Sequence, residues 1–305
     1  MKGVILTCAI TGSIHTPSMS PHLPVTEDEI VASALGAARA GATVLHLHVR
    51  NPADGQPTAD PALFKRVIDR IRAETDAILS ITTGGSARMS IEERLAAPIA
   101  IKPELCSLNL GTMNFALHGM AQKERVWKYD WEKPFLQSTR DGIFRNTFGD
   151  MELVIGELQS RFGTRFEFEA YDIGHLYSLA HLMDKGIVIG APFVQFVMGI
   201  LGGIGADADS LTMMYQTARR LFGAFEWSAL PAGRAQMTLG AMAVAMGGNV
   251  RVGLEDNLYI APGELATSNA AQVEKMGRIC AEQFRGIATP ADARQRLGLN
   301  SPLAV

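Results

Sequence analysis

Two histidines separated by one residue offer the most distinctive chemistry in this sequence. His46 and His48 close an apolar run, Ala42-Thr43-Val44-Leu45, that is typical of a strand. Residues i and i+2 of a strand point to the same face, so both imidazoles are expected to converge. Converging imidazoles make half of a zinc site, which a carboxylate or a third histidine must complete. The alternative is that two polar residues simply end a strand. The other motifs in the sequence distinguish a metal site from this alternative.

Short apolar runs alternate with helical patterns along the chain, which predicts an α/β fold with a parallel sheet. The predicted strands are Val4 to Ile10, the histidine-bearing run, Ala77 to Ile81, Leu105 to Asn109, Phe166 to Ala170, Phe193 to Met198, Phe225 to Leu230 and Asn249 to Gly253. Eight such strands predict a (β/α)8 TIM barrel, with residues 1–305 as a single domain. A further extended run, Ile143 to Phe148, is assigned to a long insertion after the fourth strand.

In such barrels the reactive groups lie at the carboxyl ends of the strands. The second and the eighth strand are both even, so their inward side chains fall in common layers. Glu255, just after the eighth strand, can therefore meet His46 and His48 across the barrel mouth. This carboxylate would complete a three-ligand zinc site and leave one position open for substrate or water.

Arg251, Gly253 and Asp256 surround the predicted third ligand. Strand periodicity puts Arg251 on the same side as Glu255, and Gly253 between them leaves space above the metal. Asp256 would face away if the strand continued, so its role depends on a bend in the chain. A surface ion pair is the alternative for Arg251 and Asp256, but apolar residues surround them and a buried charge needs a partner.

Other polar residues at the strand ends are candidates for holding a substrate. The turn Thr82-Thr83-Gly84-Gly85-Ser86 offers hydroxyl and backbone N–H groups that suit a carboxylate. Its glycines could equally serve only the backbone of a tight turn. The predicted substrate-binding residues are Thr83, Gly84, Gly85, Asn109, Thr112 and Glu169, all at or near the ends of the third, fourth and fifth strands.

The composition favours a folded protein without nucleic-acid or membrane partners. Hydrophobic residues make up 47% and charged residues 19%, and the net charge is −3. That charge gives no attraction to nucleic acid or to an anionic membrane, and no apolar run approaches the ~20 residues that cross a bilayer. Cys8, Cys106 and Cys280 are odd in number and widely spaced, which predicts buried free thiols and a reducing, cytoplasmic setting.

Six motifs, in this order, resemble the β-keto acid cleavage enzyme family, which includes the 3-keto-5-aminohexanoate cleavage enzyme. They are Thr11-Gly12-Ser13, His46-Leu47-His48-Val49-Arg50, Thr82-Thr83-Gly84-Gly85, Asn109 to Phe115, Glu167 to Asp172 and Arg251 to Asn257. The resemblance spans nearly the whole chain. It implies a zinc-bearing (β/α)8 barrel that condenses a β-keto acid with acetyl-CoA to give acetoacetate and a CoA thioester. Together with apolar helix faces, it also implies a homo-oligomer such as a tetramer.

The resemblance implies roles for individual residues. The zinc ligands would be His46, His48 and Glu255. Asp256 would be the catalytic base, oriented or tuned by Arg251, and would remove a proton from the carbon between the keto and carboxylate groups. The Thr82 hydroxyl, where some members have serine, would help to hold the substrate.

The first loop bears on the choice of substrate. The family member that acts on an aminated keto acid has an acidic residue there to meet the ammonium group. The corresponding stretch of this chain, Ser13-Ile14-His15, contains no carboxylate. We therefore expect a neutral or apolar β-keto acid as substrate.

Two other functions are compatible with the His-x-His motif. Zinc-dependent hydrolases usually carry it on the first strand, with further histidine ligands on the fifth and sixth strands. Here it lies on the second strand, and those later strands present Glu169 and Gln195. A non-catalytic metal or metabolite sensor is the other alternative. An open metal position beside an arginine and two carboxylates fits catalysis better than sensing.

Overall fold

A computed structural model describes residues 2–84 and 89–299. Its strands are β1 (Leu6–Ala9), β2 (Val44–Leu47), β3 (Ile78–Ile81), β4 (Leu105–Asn109), β5 (Arg165–Ala170), β6 (Phe193–Met198), β7 (Glu226–Pro231) and β8 (Asn249–Val252). They are parallel, each neighbours the next in sequence, and β8 pairs with β1 to close the barrel. The eight predicted strands are thus all present, and the predicted (β/α)8 barrel is confirmed.

Helices connect the strands and surround the barrel. They are α1 (Glu27–Arg39), α2 (Pro61–Arg72), α3 (Ile91–Ile101), α4 (Glu132–Ser138), α5 (Phe148–Ile155), α6 (Ile173–Asp184), α7 (Ala208–Phe222), α8 (Gln236–Ala245), α9 (Asn269–Glu282) and α10 (Pro290–Leu297). Local sequence fixes where several of them begin. In α1, for example, Thr26 and Glu29 form a capping box that satisfies backbone N–H groups of the first turn.

The two faces of the barrel strands differ in polarity. Outward side chains such as Leu45, Leu79 and Phe196 join the main apolar core between the strands and the helices. The alternate positions, which face the inside of the barrel, carry fully or nearly fully buried polar residues: Thr7, His46, Ser80, Ser107, Glu167, Gln195, Ser228 and Arg251. The barrel therefore holds polar side chains in its interior, directly beneath the mouth.

A long insertion separates β4 from β5. Within it, Ile143–Phe144 pairs antiparallel with Met113–Asn114, outside the barrel. This confirms that the extended run starting at Ile143 belongs to the insertion and is not a ninth barrel strand. Helix α4 lies in the same insertion, and side chains from both parts line the cavity described below.

The three cysteines are buried and free, as predicted. None of the helices within the described residues has the length and apolar character that crossing a membrane requires. The reducing, cytoplasmic setting and the homo-oligomer both stay predictions.

Candidate active site

The structure brings together the three residues that the sequence predicts as metal ligands. The Nε2 atoms of His46 and His48 lie 3.7 Å and 3.5 Å from the Glu255 Oε1 atom. One ligand atom from each residue lies within 4.8 Å of the other two. All three side chains are buried at the carboxyl ends of β2 and β8, so these two strands position the cluster.

Two glycines place Glu255 beside the histidines. β8 ends at Val252, and Gly253 turns the chain with a φ of 140°, a conformation that other residues rarely adopt. A Cβ atom at Gly253 would lie 2.1 Å from the backbone oxygen of Ala9. At Gly12, a Cβ atom would lie 2.2 Å from the Glu255 Cγ atom. Close backbone approach at both positions therefore permits the observed place of Glu255.

The protonation and hydrogen bonding of this cluster fit a divalent cation. Burial lowers the pKa of His48 to about 3 and that of His46 well below its ordinary value, with Arg251 adding to both effects. Both imidazoles are therefore neutral near pH 7, the form that binds metal. The Glu255 Oε2 atom is buried and has no hydrogen-bond partner among the described residues. Two imidazoles and one carboxylate are a ligand set that catalytic zinc uses.

Ser80 supports the first histidine from the neighbouring strand. Its hydroxyl oxygen lies 3.3 Å from the His46 Nδ1 atom, on the side of the ring away from Glu255. A hydrogen bond to the far nitrogen fixes the ring orientation and the tautomer of a metal-binding histidine. The Ser80 side chain thus holds His46 with Nε2 directed at the cluster.

Arg251 and Asp256 form a buried two-bond ion pair beside the cluster. The Nε and Nη2 atoms of Arg251 donate to the two carboxylate oxygens of Asp256, each at 2.9 Å. The turn that begins at Gly253 directs Asp256 back toward the barrel, which is the bend that its predicted role requires. Burial raises the pKa of Asp256 from 3.8 to about 6, although Arg251 opposes the shift. A carboxylate with such a pKa suits proton abstraction near neutral pH.

The same guanidinium contacts further acceptors. Its Nη2 atom donates to Glu255 Oε1 at 2.6 Å, and Nη1 lies 3.5 Å from Glu169 Oε1. The Tyr171 hydroxyl donates to the other oxygen of Glu169, whose pKa burial raises to about 7. Three carboxyl groups therefore face one arginine in a buried site. This excess of acidic groups also fits a cation at the histidine–glutamate cluster, because buried charges require partners.

A cavity of about 490 Å³ opens over the ion pair and the ligand cluster. Among the described residues, the charged or titratable side chains that line it lie at its inner end: His46, His48, Glu169, Tyr171, Arg251, Glu255 and Asp256. The outer wall is largely apolar and comes mainly from the insertion, with Phe115, Leu117, Trp131, Phe135 and Phe144 among its side chains. Ser13 and Ile14 of the first loop also line the cavity, together with Gln56, Pro57, Val197, Ile200, Leu230 and Ala232. A ligand that fills this cavity therefore meets charge at one end only.

Some of the residues predicted to hold the substrate line the cavity, and others do not. Thr82, Gly84, Asn109 and Glu169 line the cavity. The Thr83 hydroxyl instead donates to the Ser107 carbonyl oxygen at 2.7 Å, and Thr112 is exposed and accepts from the Asn146 backbone N–H. Gly85 and Ser86, also part of the predicted turn, lie outside the described residues.

Several residues of the site have no role that the sequence predicts. Ser80, Glu167 and Gln195 lie in the barrel interior, within or below the site. Arg50 is buried and donates to backbone oxygens of Thr11 and His15, which fixes the first loop near Glu255. Polar residues at alternate positions of otherwise apolar strand runs are the signal that could have identified the first three. Their partners, however, depend on which strands the closed barrel places side by side.

Glu167 is a completely buried carboxyl group inside the barrel. It accepts a hydrogen bond from Gln195 Nε2 at 2.6 Å, while its Oε2 atom has no hydrogen-bond partner among the described residues. Burial raises its pKa from 4.5 to about 8, with Arg251 acting in the opposite direction and Glu169 adding to the increase. Glu167 is therefore expected to be protonated at neutral pH.

We expect Glu167→Gln to make the slope of unfolding free energy against pH more positive between about pH 5 and 8. The folded pKa of Glu167, about 8, lies above the ordinary value of 4.5, so the folded state keeps a proton that the unfolded state releases. Its contribution to stability is therefore complete below the unfolded pKa and is lost as the pH rises to 8. Glutamine cannot ionise, which removes a slope of about 1.4 kcal/mol per pH unit. Urea unfolding of both proteins at three pH values between about 5 and 8 measures this difference in slope.

The exposed Glu274 on α9 offers a matched control. Glu274→Gln should leave the pH dependence of the unfolding free energy as in the unsubstituted protein. Equal pH slopes for Glu167→Gln and the unsubstituted protein would contradict a raised pKa at Glu167.

Known proteins resemble this chain in sequence and in fold. A family model described as beta-keto acid cleavage enzyme matches residues 3–299. The chain is 52% identical to the 3,5-dioxohexanoate:acetyl-CoA acetone transferase of Paraburkholderia graminis, over 98% of this chain and 96% of that one. It is 38% identical to the 3-keto-5-aminohexanoate cleavage enzyme of Acetoanaerobium sticklandii, over 98% of this chain and 100% of that one. The apo structure of ObcA shares the fold, with a TM-score of 0.72 at 21% identity, covering 92% of this chain and 66% of ObcA.

Proposed function

Since this chain belongs to the β-keto acid cleavage enzyme family, we propose that it condenses a β-keto acid with acetyl-CoA. The products are acetoacetate and the CoA thioester of the shortened acid. The observation that carries this proposal is a buried ligand cluster of two histidines and Glu255 beside the Arg251–Asp256 ion pair in one cavity. The two parts match the needs of the reaction, which requires acidification of a carbon and a base to take its proton.

We propose zinc as the cation that His46, His48 and Glu255 hold. The support is the ligand set, the neutral imidazoles and the unpartnered carboxylate oxygen. When bound, zinc supplies Lewis-acid polarisation, which makes the carbon between the keto and carboxylate groups more acidic and stabilises negative charge on the enolate.

Asp256 is the proposed base. Arg251 holds both of its oxygens, so the carboxylate has a fixed orientation at the inner end of the cavity. It takes a proton from the substrate carbon that lies between the keto group and the carboxylate. A positioned carboxylate whose pKa lies near the working pH is an efficient base for this step. Thr82, Asn109 and Glu169 line the same cavity and are proposed to contact the substrate.

The remaining steps of the proposed reaction need no reactant other than the β-keto acid and acetyl-CoA. The enolate carbon bonds to the carbonyl carbon of acetyl-CoA, and the CoA thiolate leaves. That thiolate then attacks the original keto carbon, and the bond between this carbon and the former enolate carbon breaks. The electron pair returns to the departing fragment, which takes up a proton and leaves as acetoacetate, while the rest of the acid leaves as the CoA thioester.

The substrate tail is proposed to be uncharged. The outer cavity wall is largely apolar, and Ser13 and Ile14 of the first loop line the cavity. The family resemblance puts an acidic residue that meets an ammonium group in this loop stretch, where Ser13-Ile14-His15 has no carboxylate. The relative of 52% identity is named for 3,5-dioxohexanoate, whose tail carries only a ketone. A neutral β-keto acid of this kind fits a cavity with charge at its inner end alone.

A coupled assay with acetyl-CoA and a panel of β-keto acids tests the proposed reaction. We expect acetoacetate and an acyl-CoA to form in equal amounts, and only when both substrates are present. Loss of a substrate in the absence of acetyl-CoA would instead indicate hydrolysis. Failure of every β-keto acid in the panel to yield acetoacetate would reject the proposal.

We expect kcat/KM for 3,5-dioxohexanoate to exceed that for 3-keto-5-aminohexanoate by at least about tenfold, because an ammonium group in an apolar wall lacks a partner. The two acids differ chiefly at the fifth carbon, so they make a matched pair. Ser13→Glu, which adds a carboxylate to the outer cavity, should narrow the difference. Equal kcat/KM values for the two acids in the unsubstituted enzyme would contradict an uncharged tail.

A further inference from the structure

A polar contact links the barrel interior to the ion pair at its mouth. Gln195 on β6 lies between Arg251 and the buried Glu167 of β5. Its Oε1 atom accepts from Arg251 Nη1 at 3.4 Å, and its Nε2 atom donates to Glu167 Oε1 at 2.6 Å and to the Ser228 hydroxyl at 3.0 Å. The four side chains are buried and come from four consecutive barrel strands.

The orientation of the Gln195 side-chain amide determines whether Arg251 faces a hydrogen-bond acceptor or a donor. An amide presents an acceptor at one end and two donors at the other. With the acceptor toward Arg251, the guanidinium gains a partner for Nη1, whereas a reversed amide would place N–H groups against N–H groups. In the first arrangement Glu167 Oε1 accepts from Gln195 Nε2 at 2.6 Å, which leaves the amide oxygen directed at Arg251.

Glu167 also has a feature that packing does not explain. Its Oε2 atom is buried and lacks a hydrogen-bond partner among the described residues. Such an atom costs stability. A buried carboxyl group that has an unpartnered oxygen and contacts Gln195, the residue beside Arg251, points to a role in the site.

We propose that Glu167 is a positioning residue that orients the Gln195 amide toward Arg251 and so keeps the guanidinium aligned with Asp256. This inference rests on the proposed function, because alignment matters only where Asp256 acts as the base. Glu167 acts through Gln195 and lies outside the cavity lining, so it is distinct from the residues proposed to contact the substrate.

The test compares Glu167→Met with Glu167→Gln. Methionine fills a similar volume but removes the acceptor, so kcat should fall by about 10- to 100-fold, as expected when a catalytic group is misplaced. KM for both substrates and the metal content should stay within about twofold, because Glu167 neither lines the cavity nor belongs to the ligand cluster. Glutamine keeps an acceptor oxygen for Gln195 and should restore kcat to within about threefold of the unsubstituted enzyme.

Two further variants separate positioning from general damage to the core. Gln195→Met removes the acceptor of Arg251 and should lower kcat like Glu167→Met, with no further loss in the double variant. Ser228→Ala removes only the other partner of Gln195 Nε2 and should leave kcat nearly unchanged. Additive losses in the double variant, or equal damage from Glu167→Gln and Glu167→Met, would overturn the proposal.

Crystal structures of the unsubstituted protein and Glu167→Met give a readout that is independent of turnover. We expect the unsubstituted protein to keep both Arg251–Asp256 hydrogen bonds and Glu167→Met to lose at least one. A folded Glu167→Met protein that keeps both bonds and the full kcat would overturn the inference. Should the unsubstituted protein be inactive with every β-keto acid, the proposed function fails, while these structures still decide whether Glu167 positions Arg251.

Discussion

Asp256→Asn is expected to lower kcat by about 1,000-fold, within the range for loss of a general base. Asparagine has nearly the same shape and keeps one acceptor for Arg251, but it cannot take the proton from the substrate carbon. Substrate binding and the ligand cluster use other atoms, so KM and metal content should change little. The effect should therefore fall on kcat and on kcat/KM equally, as for a group that acts in the transition state.

Initial rates over a range of β-keto acid concentrations, with metal analysis of the same samples, measure this prediction. The exposed Asp209 on α7 supplies the matched control, because Asp209→Asn makes the same chemical change away from the cavity. Its kcat should equal that of the unsubstituted enzyme. An Asp256→Asn enzyme within about tenfold of that kcat would assign the base to another residue, since general-base loss typically costs 100-fold or more.

Much of the fold follows from local sequence. The barrel strands are short apolar runs between helical patterns, and such runs are recognisable because burial on the helix side requires apolar residues at alternate positions. The convergence of His46 and His48 follows from the same alternation. The approach of Glu255 follows from a rule for closed barrels, in which even-numbered strands share layers.

Other features of the site depend on contacts that local sequence does not specify. Asp256 reaches Arg251 only because Gly253 takes up a positive φ, and the sequence leaves that bend open. Ser80 and Gln195 appear as isolated polar residues in apolar runs, and Glu167 alternates with apolar residues in its strand. Their partners are set by the strand register of the closed barrel, which pairs Gln195 with both Ser228 and Glu169.

The outer cavity wall is a second feature that local sequence does not specify. Its aromatic and aliphatic side chains come from the insertion between β4 and β5, whose elements are short and carry weak sequence patterns. Sequence predicts the insertion but not which of its side chains, such as Phe115 and Phe135, reach the barrel mouth. This is where the length and polarity of the substrate tail are expected to be selected. The inner, charged end of the site is thus more predictable from sequence than the end that selects the substrate.

His46→Ala is expected to remove most of the bound metal and to lower kcat/KM by more than about 100-fold. Two ligands, His48 and Glu255, would remain, which is fewer than the three protein ligands of catalytic zinc sites. The loss should exceed that of Ser80→Ala, which removes only the side chain that orients His46. Changes to such supporting residues typically cost about 10- to 100-fold in metal affinity or activity.

Elemental analysis, activity and thermal unfolding of the purified variants measure this prediction. His22→Ala is the matched control, because His22 is exposed in the first loop and does not line the cavity. The unsubstituted protein should hold about one zinc per chain. It should also lose thermal stability with a chelator, because a metal that binds only the folded state stabilises it. His46→Ala should show no chelator effect, since the site is already empty in that variant. Full zinc content in His46→Ala, or an unsubstituted enzyme that is active without metal, would exclude this cluster as the source of the Lewis acid.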